Sequence, residues 1–330
     1  MSDRPLVSLV LITYNSAALL PAFFAALAQT RYAPYELIAV DNASSDGTPA
    51  ALAREPGVRL LANATNVGFG RACNQGARAA RGELLLFLNP DVLATPAWLE
   101  ILARRMGEHP DAAIIAPQTL EPDAMRSLPP GSPHGRTENT SRLAGPRTAP
   151  RASPAPVAGR GGWGVNETAA VPGCAMMVRR AAWEALGGFD ERIFLYWEDT
   201  ELCWRAWLLG WRVLEDLEAA VIHARGGSGG GARWEAEATK NGLYVHLKLA
   251  PWPLTARYIA RQALKTALRT LWGRGRELRS AWRGVLGGLG EALAQRRQLQ
   301  RQARRGPAEL ARLISAHEAR QRRERRERSR

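Results

Sequence analysis

The chain has 330 residues, 46% of them hydrophobic, enough for one large domain or two modest ones around a sizeable core. Its formal charge of +14 points to an anionic partner such as nucleic acid, an acidic membrane surface or a phosphorylated substrate. Cys73, Cys174 and Cys203 are odd in number, far apart and outside any CxxC pair, which argues against a disulfide framework or a zinc site and for a reducing cytoplasm. The N-terminus shows no signal-peptide pattern, and no apolar run approaches the ~18 residues of a membrane span, so any membrane contact is expected to be peripheral.

Residues 6–12, LVSLVLI, predict a strand, and Leu19, Leu20, Phe23, Phe24 and Leu27 recur at helical spacing within 17–30. Further strands are expected at 36–41, 58–63, 83–88 and 112–117, with helices at 48–54, 74–80 and 96–106 between them. Thr95 is placed to cap the last of these helices, with proline at its first position. Strands alternating with helices, each strand a near-continuous apolar run, indicate an α/β domain whose mainly parallel sheet is covered on both faces. The pattern breaks at about 122–165, a stretch rich in Pro, Gly, Ser, Thr and Arg that reads as a long loop or linker. Beyond it, GCAMMVRR predicts a strand and AAWEALGG a short helix; a helix at about 199–209 and a strand ending at His223 follow.

In a doubly wound sheet, ligands bind beyond the carboxyl ends of the strands. The first strand ends in Thr13, Tyr14 and Asn15, and the second in Asp41, with Asp46 close behind. The third is followed by Gly68 and Gly70, and the fourth by Asn89-Pro90-Asp91. Polar or glycine-rich residues therefore gather at one edge, which predicts a ligand crevice there. The crevice has neither a GxGxxG dinucleotide fingerprint nor a P-loop. Asp41 could accept hydrogen bonds from a base or ribose, or form a local turn. Gly68 and Gly70 could admit a ligand close to the backbone, or simply make a turn. Glu198 and Asp199 begin a helix, where acids often only complement the dipole. Here Phe194, Tyr196 and Trp197 surround them, and desolvation would make a carboxylate a stronger base. His223, entering a glycine-rich loop with Arg225, is either structural or a metal or phosphate ligand.

Taken in order, VSLVLITYNS (7–16), VDNASSDGT (40–48), NVGFGRACNQGARAARGELLLFLNPDV (66–92), the stretch 171–213 and VIHARGGSGG (221–230) resemble the inverting family 2 glycosyltransferases of GT-A fold, in their rhamnosyltransferase-like branch. The resemblance spans about 1–250 except the insert. It implies a glycosyltransferase domain over 1–250: a nucleotide-sugar half at 1–120, a flexible segment at 121–165 and an acceptor half at 166–250. A basic helical extension would occupy 251–330. It further implies that Thr13, Tyr14, Asn15, Asp41 and Asp46 bind or shape the nucleotide pocket, and that Gly68, Gly70, Asn74 and Asn89 line the nucleotide-sugar. Asp91 would be the last acid of the family's metal-binding motif, Asp199 its catalytic base and His223 a second hold on metal and diphosphate. Glu198 would orient the base, and Tyr196 and Trp197 would face the acceptor. Asn89 departs from the family's DxD, leaving one carboxylate to a Mg²⁺ or Mn²⁺ cofactor.

The implied reaction moves a sugar from a nucleoside-diphosphate donor to a hydroxyl of a cell-envelope glycan or lipid-linked acceptor. Residues 296–330 carry 13 arginines against 4 glutamates. Together with a helix at 255–272 and with Trp252 and Trp272 as anchors, this tail is expected to meet an anionic membrane, or else to be solvated. A nucleic-acid-binding protein would use the same tail but leaves the polar strand ends unexplained. A nucleotidyltransferase would want a basic, glycine-rich loop where TYNSAALL stands.

Overall fold

A computed structural model describes residues 4–120, 164–224, 231–273 and 275–328. The insert expected near 122–165 and Arg225 therefore fall wholly or almost wholly outside the described residues. The first half runs β1 (Val7–Thr13), α1 (Leu20–Leu27), β2 (Tyr35–Asp41), α2 (Thr48–Arg54), β3 (Val58–Ala62), α3 (Phe69–Ala79), β4 (Leu84–Leu88), β5 (Val92–Ala94), α4 (Trp98–Glu108) and β6 (Ala112–Leu120). The second half adds β7 (Val165–Glu167), β8 (Ala175–Arg179), α5 (Arg180–Leu186), α6 (Glu198–Leu208), β9 (Arg212–His223) and α7 (Ala232–Leu249). The chain then folds into α8 (Trp252–Leu271), α9 (Arg276–Gln302) and α10 (Pro307–Arg328).

The strands order as β3-β2-β1-β4-β8-β6-β9-β5, with β7 also on β9. β1, β2, β3 and β4 pair in parallel. β8 inserts antiparallel between β4 and β6, and β9 runs parallel to β6. β5 and β7 run against β9. The mainly parallel α/β sheet is thus as expected, and its parallel strands bring their carboxyl ends to one edge. Alternation within each strand builds two cores. Val10, Ile12, Ile38, Val40 and Phe87 pack on one face, and Leu9, Leu11, Leu37, Leu86 and Leu88 on the other.

Several expectations are corrected. Thr95 does not cap α4; its hydroxyl donates to the Ala220 carbonyl at 2.8 Å, because the short β5 carries it against β9. The helix expected at 74–80 begins at Phe69, directly after Gly68, so Gly70 and Asn74 are helical. Three-residue strands such as β5 and β7 are too short to show a period, and α7 lay unread between two glycine- and proline-rich signals.

The C-terminal segment is not wholly a solvated tail. Leu310 and Ile314 are buried in the same core as Phe87 and Trp204. The Arg305 guanidinium lies 3.8 Å from the centre of the Trp207 ring. Arg296 is buried, donates to the carbonyls of Leu247 and Ala250, and covers Trp252 at 4.2 Å. Trp252, 54% exposed, therefore has an internal partner on one face of its ring.

Candidate active site

β2 ends at Asp41, which is buried and accepts from the Thr13 hydroxyl at 2.9 Å, the Ser44 hydroxyl at 2.6 Å and the Ser44 amide at 2.9 Å. The turn-forming alternative is thus realised, and it ties the ends of β1 and β2 together. The Asn15 side chain accepts from the Ser45 amide at 2.8 Å, and its φ of 49° turns the loop. Asp46 accepts from the amides of Ala17 and Thr48 at 3.0 Å. Burial works to raise the Asp46 carboxyl, but these bonds and the Thr48 hydroxyl hold it below the ordinary range. Asn15 and Asp46 therefore shape the loops after β1 and β2, where Tyr14 stands 55% exposed.

Gly68 has a φ of +89°, and a Cβ there would lie 2.6 Å from the Phe194 carbonyl oxygen. The neighbouring Phe69 amide donates to that same oxygen at 2.9 Å. A Cβ on Gly70 would come 3.0 Å from Phe189. The close approach that these glycines permit is to the 189–194 segment of the protein itself. Asn74 is likewise occupied: its amide nitrogen donates to the Phe189 carbonyl at 3.0 Å and its oxygen accepts from the Phe189 amide at 2.9 Å. Gly70 and Asn74 thus tie α3 to the 189–194 segment.

β4 delivers Asn89, whose amide donates to the Cys174 carbonyl at 3.0 Å. The chain then turns into β5, where Val92 is paired with His223 of β9. That register puts the His223 ring nitrogen Nε2 3.2 Å from Asp91 Oδ2. The Asp91 carboxylate and then the Cys174 thiol raise the imidazole to about 10. Among the described residues no group of three or more His, Cys, Asp or Glu is arranged to hold a metal ion. Asp91 and His223 could join a hard divalent cation, which requires about six ligands, once the imidazole gives up its proton and diphosphate oxygens and water fill the other positions.

Tyr196 and Trp197 enter α6 with φ values of 68° and 76°, a left-handed pair of non-glycine residues. Such strain persists only where the surroundings enforce it. Asn241 of α7 donates to the Leu195 carbonyl at 2.9 Å, and the Trp197 ring packs edge-on against Trp204, His246 and Tyr258. Trp197 is thus packed among aromatic rings of α6, α7 and α8. The strain aims Glu198 and Asp199. Asp199 Oδ1 accepts from the Thr200 amide at 2.6 Å, and Oδ2 from the Gly173 amide at 3.1 Å. Burial outweighs these bonds and raises Asp199 above the ordinary carboxylate range. Burial, and then the neighbouring Asp199, raise Glu198. Among the described residues no hydrogen-bond partner meets Glu198 Oε2.

A buried ionic network behind the site had no sequence signal. Lys248 of α7 reaches Asp190 and Glu201, each at 2.7 Å. Glu201 also accepts from Arg205 at 2.6 Å, and Tyr244 donates to Asp190 at 2.8 Å. Burial would raise Asp190, but the Lys248 ammonium and the hydrogen bonds it receives pull it down to about 2. The network fixes α6, and with it Asp199, against α7 and the 189–194 segment.

Comparison with known proteins now defines the class. The family model described as glycosyl transferase family 2 matches residues 8–186, and the chain belongs to that family. An N-acetylglucosaminyl-diphospho-decaprenol L-rhamnosyltransferase of Mycobacterium tuberculosis is 31% identical over 249 residues, covering 67% of this chain and 76% of its own. The mannosyltransferase PcManGT from Pyrobaculum calidifontis, solved with GDP-Man and Mn²⁺, superposes with a TM-score of 0.55 at 20% identity, over 96% of this chain and 85% of its own. S. aureus TarS 1–349 gives 0.56 at 15% identity, over 90% and 83%. The fold is the GT-A glycosyltransferase fold, and the protein is a glycosyltransferase.

Proposed function

We propose that the protein is an inverting transferase that moves a sugar from a nucleoside-diphosphate donor to an acceptor hydroxyl, with Asp199 as general base. The observation that carries this reading is the Gly173-Cys174 dipeptide. The Gly173 amide holds Asp199, while Cys174 holds Asn89 through its carbonyl and His223 through its thiol. Two adjacent residues thereby couple a buried base to the Asp91–His223 pair. Asp199 takes the hydroxyl proton as the acceptor oxygen bonds to the anomeric carbon. The bond from that carbon to the diphosphate oxygen breaks, and its electrons leave on the nucleoside diphosphate. A single displacement inverts configuration. Such a base contributes about 10²–10⁴-fold.

Asp91 and His223 would hold a divalent cation, Mg²⁺ or Mn²⁺, which when bound would neutralise diphosphate charge. Thr13, Tyr14 and the Asp41 turn would receive the nucleotide, and Asn89 and Gly68 would border the sugar. Glu198 would orient the acceptor, with Tyr196 at its edge. The mycobacterial relative's name supports a rhamnosyl donor such as dTDP-rhamnose and a lipid-linked diphospho-sugar acceptor in cell-envelope polysaccharide synthesis. The corresponding location is the inner face of the cytoplasmic membrane, reached peripherally. Consistent with that location, no described helix is long and apolar enough to cross a membrane. A panel of UDP-, GDP- and dTDP-sugars, scored by thermal shift with Mg²⁺ or Mn²⁺ and then by transfer, tests the reading. One donor should stabilise the protein and be consumed with inversion; no stabilisation by any donor would overturn the proposal.

A further inference from the structure

The outward side of α8 is unlike the rest of the surface. Arg257, Arg261, Leu264, Leu268 and Leu271 recur at three- and four-residue steps, and all are exposed, so they share one face. The face changes character along its length. Its far end is apolar: Leu264 is 62%, Leu271 79% and Trp272 78% exposed. Its near end is cationic and borders a cleft of about 520 Å³ between α8 and α10. Among the described residues, Arg257, Arg322, Arg323 and Arg326 line that cleft together with one acid, Glu318. Glu318 bridges Arg257 at 3.1 Å and Arg322 at 2.9 Å, which leaves the cleft an excess of positive charge. Lys265 and Arg269 sit on the flank of this face and pair with Glu235 at 3.0 and 3.2 Å.

We propose that this face of α8, with the arginine cleft of α10, seats the enzyme on a bilayer of anionic phospholipid. The cleft receives phosphate headgroups, and the apolar end dips among the acyl chains. Over the 15 residues from Arg257 to Leu271, the helix would lie tilted in the interface, its C-terminal end deepest and Arg276 and Arg279 flanking it at headgroup level. Charge selects the occupant. A second copy of a chain with a formal charge of +14 would bring like charge to a cationic face, and aliphatic Leu264, Leu268 and Leu271 offer nothing to a polynucleotide. Lipid satisfies both halves of the face at once. The inference deepens the peripheral-membrane reading by locating the contact on α8 and α10 rather than spreading it along the tail, and it does not depend on the chemistry at Asp199.

Flotation of the full-length chain with vesicles tests it. Equimolar phosphatidylglycerol and phosphatidylcholine should capture the protein at low salt, and pure phosphatidylcholine should not. Leu271→Ser with Trp272→Ser should weaken partitioning about tenfold or more. Arg322→Gln with Arg323→Gln should weaken it by roughly fivefold per arginine. The charge-matched pair Arg31→Gln with Arg54→Gln, on exposed positions of the first half, should bind as the parent does. Thermal melts of these surface variants should match the parent, and transfer to a water-soluble acceptor should persist. If the parent fails to float, both the membrane reading and this surface fall. If the parent floats and the α8 and α10 variants float equally, or the control pair is weakened as much as they are, only this surface falls. A lipid-free dimer that Leu271→Ser with Trp272→Ser dissolves would assign the face to a second copy and likewise overturn the proposal.

Discussion

Gly173 and Asp199 meet through one hydrogen bond, the Gly173 amide donating to Asp199 Oδ2 at 3.1 Å. A Cβ at position 173 would lie 3.3 Å from the Asp199 Cβ, so the turn that leads into β8 abuts Asp199 directly. With the Thr200 amide on the other oxygen, the carboxylate has a fixed orientation.

Asp199→Asn keeps the size of the side chain and one of its two accepted amide bonds, and removes the proposed proton acceptor. Transfer should fall by about 10²–10⁴-fold or more while nucleotide affinity stays near that of the parent, read by calorimetry beside initial rates. Because burial raises Asp199, the acid limb of the parent's rate profile should lie above the ordinary aspartate value of 3.8. Activity grows as pH rises through that limb, because the base must be ionised. A limb at or below 3.8 would count against Asp199.

For Asp91→Ala, loss of the metal-dependent part of nucleoside-diphosphate binding is expected. The parent's affinity should drop with EDTA, and the variant's should already be low and insensitive to it. The same substitution takes away the main group raising His223, so a histidine titration followed by NMR should move down from about 10.

Lys248→Met leaves Asp190 and Glu201 buried without their shared cation. Breaking such a pair costs about 3–5 kcal/mol, visible as a lowered denaturation midpoint. Asp190 also sets a pH window. Its carboxyl falls from 3.8 in the unfolded chain to about 2 in the folded one. Its contribution, on the order of 2 kcal/mol, is complete above the unfolded value and lost as pH falls through the folded one. Asp190→Asn should flatten stability across that window; an unchanged acid limb in denaturant titrations would contradict the assignment.

Gly68→Ala places a Cβ at 2.6 Å from the Phe194 oxygen on backbone that only glycine adopts readily. The expected cost is about 1–3 kcal/mol or more. Since Phe194 leads into Tyr196, Trp197 and the base, the rate should drop along with the melting temperature. Alanine at Gly57, which has φ +78° but nothing within 4 Å, isolates the backbone cost alone.

What the sequence revealed follows from distance along the chain. Asp41, Asn89 and Asp91 were legible because each follows its own apolar strand, and the single topology rule for parallel sheets collects them at one edge. Asp199 and His223 carried local context of aromatics and glycines. Lys248 carried none: a lone lysine in a helix shows nothing of a carboxylate 58 residues away. Gly68 and Asn74 stood out as special positions, but their contacts to Phe194 and Phe189 had no sequence signal, because a residue that permits close approach does not say what approaches. Periodicity separates the faces of a helix, but which one meets the protein depends, for α8, on Glu235 and α9.

The stacking of Arg305 on Trp207, with Leu310 and Ile314 buried nearby, has a genetic consequence. These residues lie far past the last recognisable family motif, yet they roof α6, the helix that begins with the base. A nonsense codon near position 300 would spare every motif residue and still expose that helix to water. Late truncation should therefore behave as a folding defect and leave little enzyme in the cell, rather than an intact catalyst that has lost an address label.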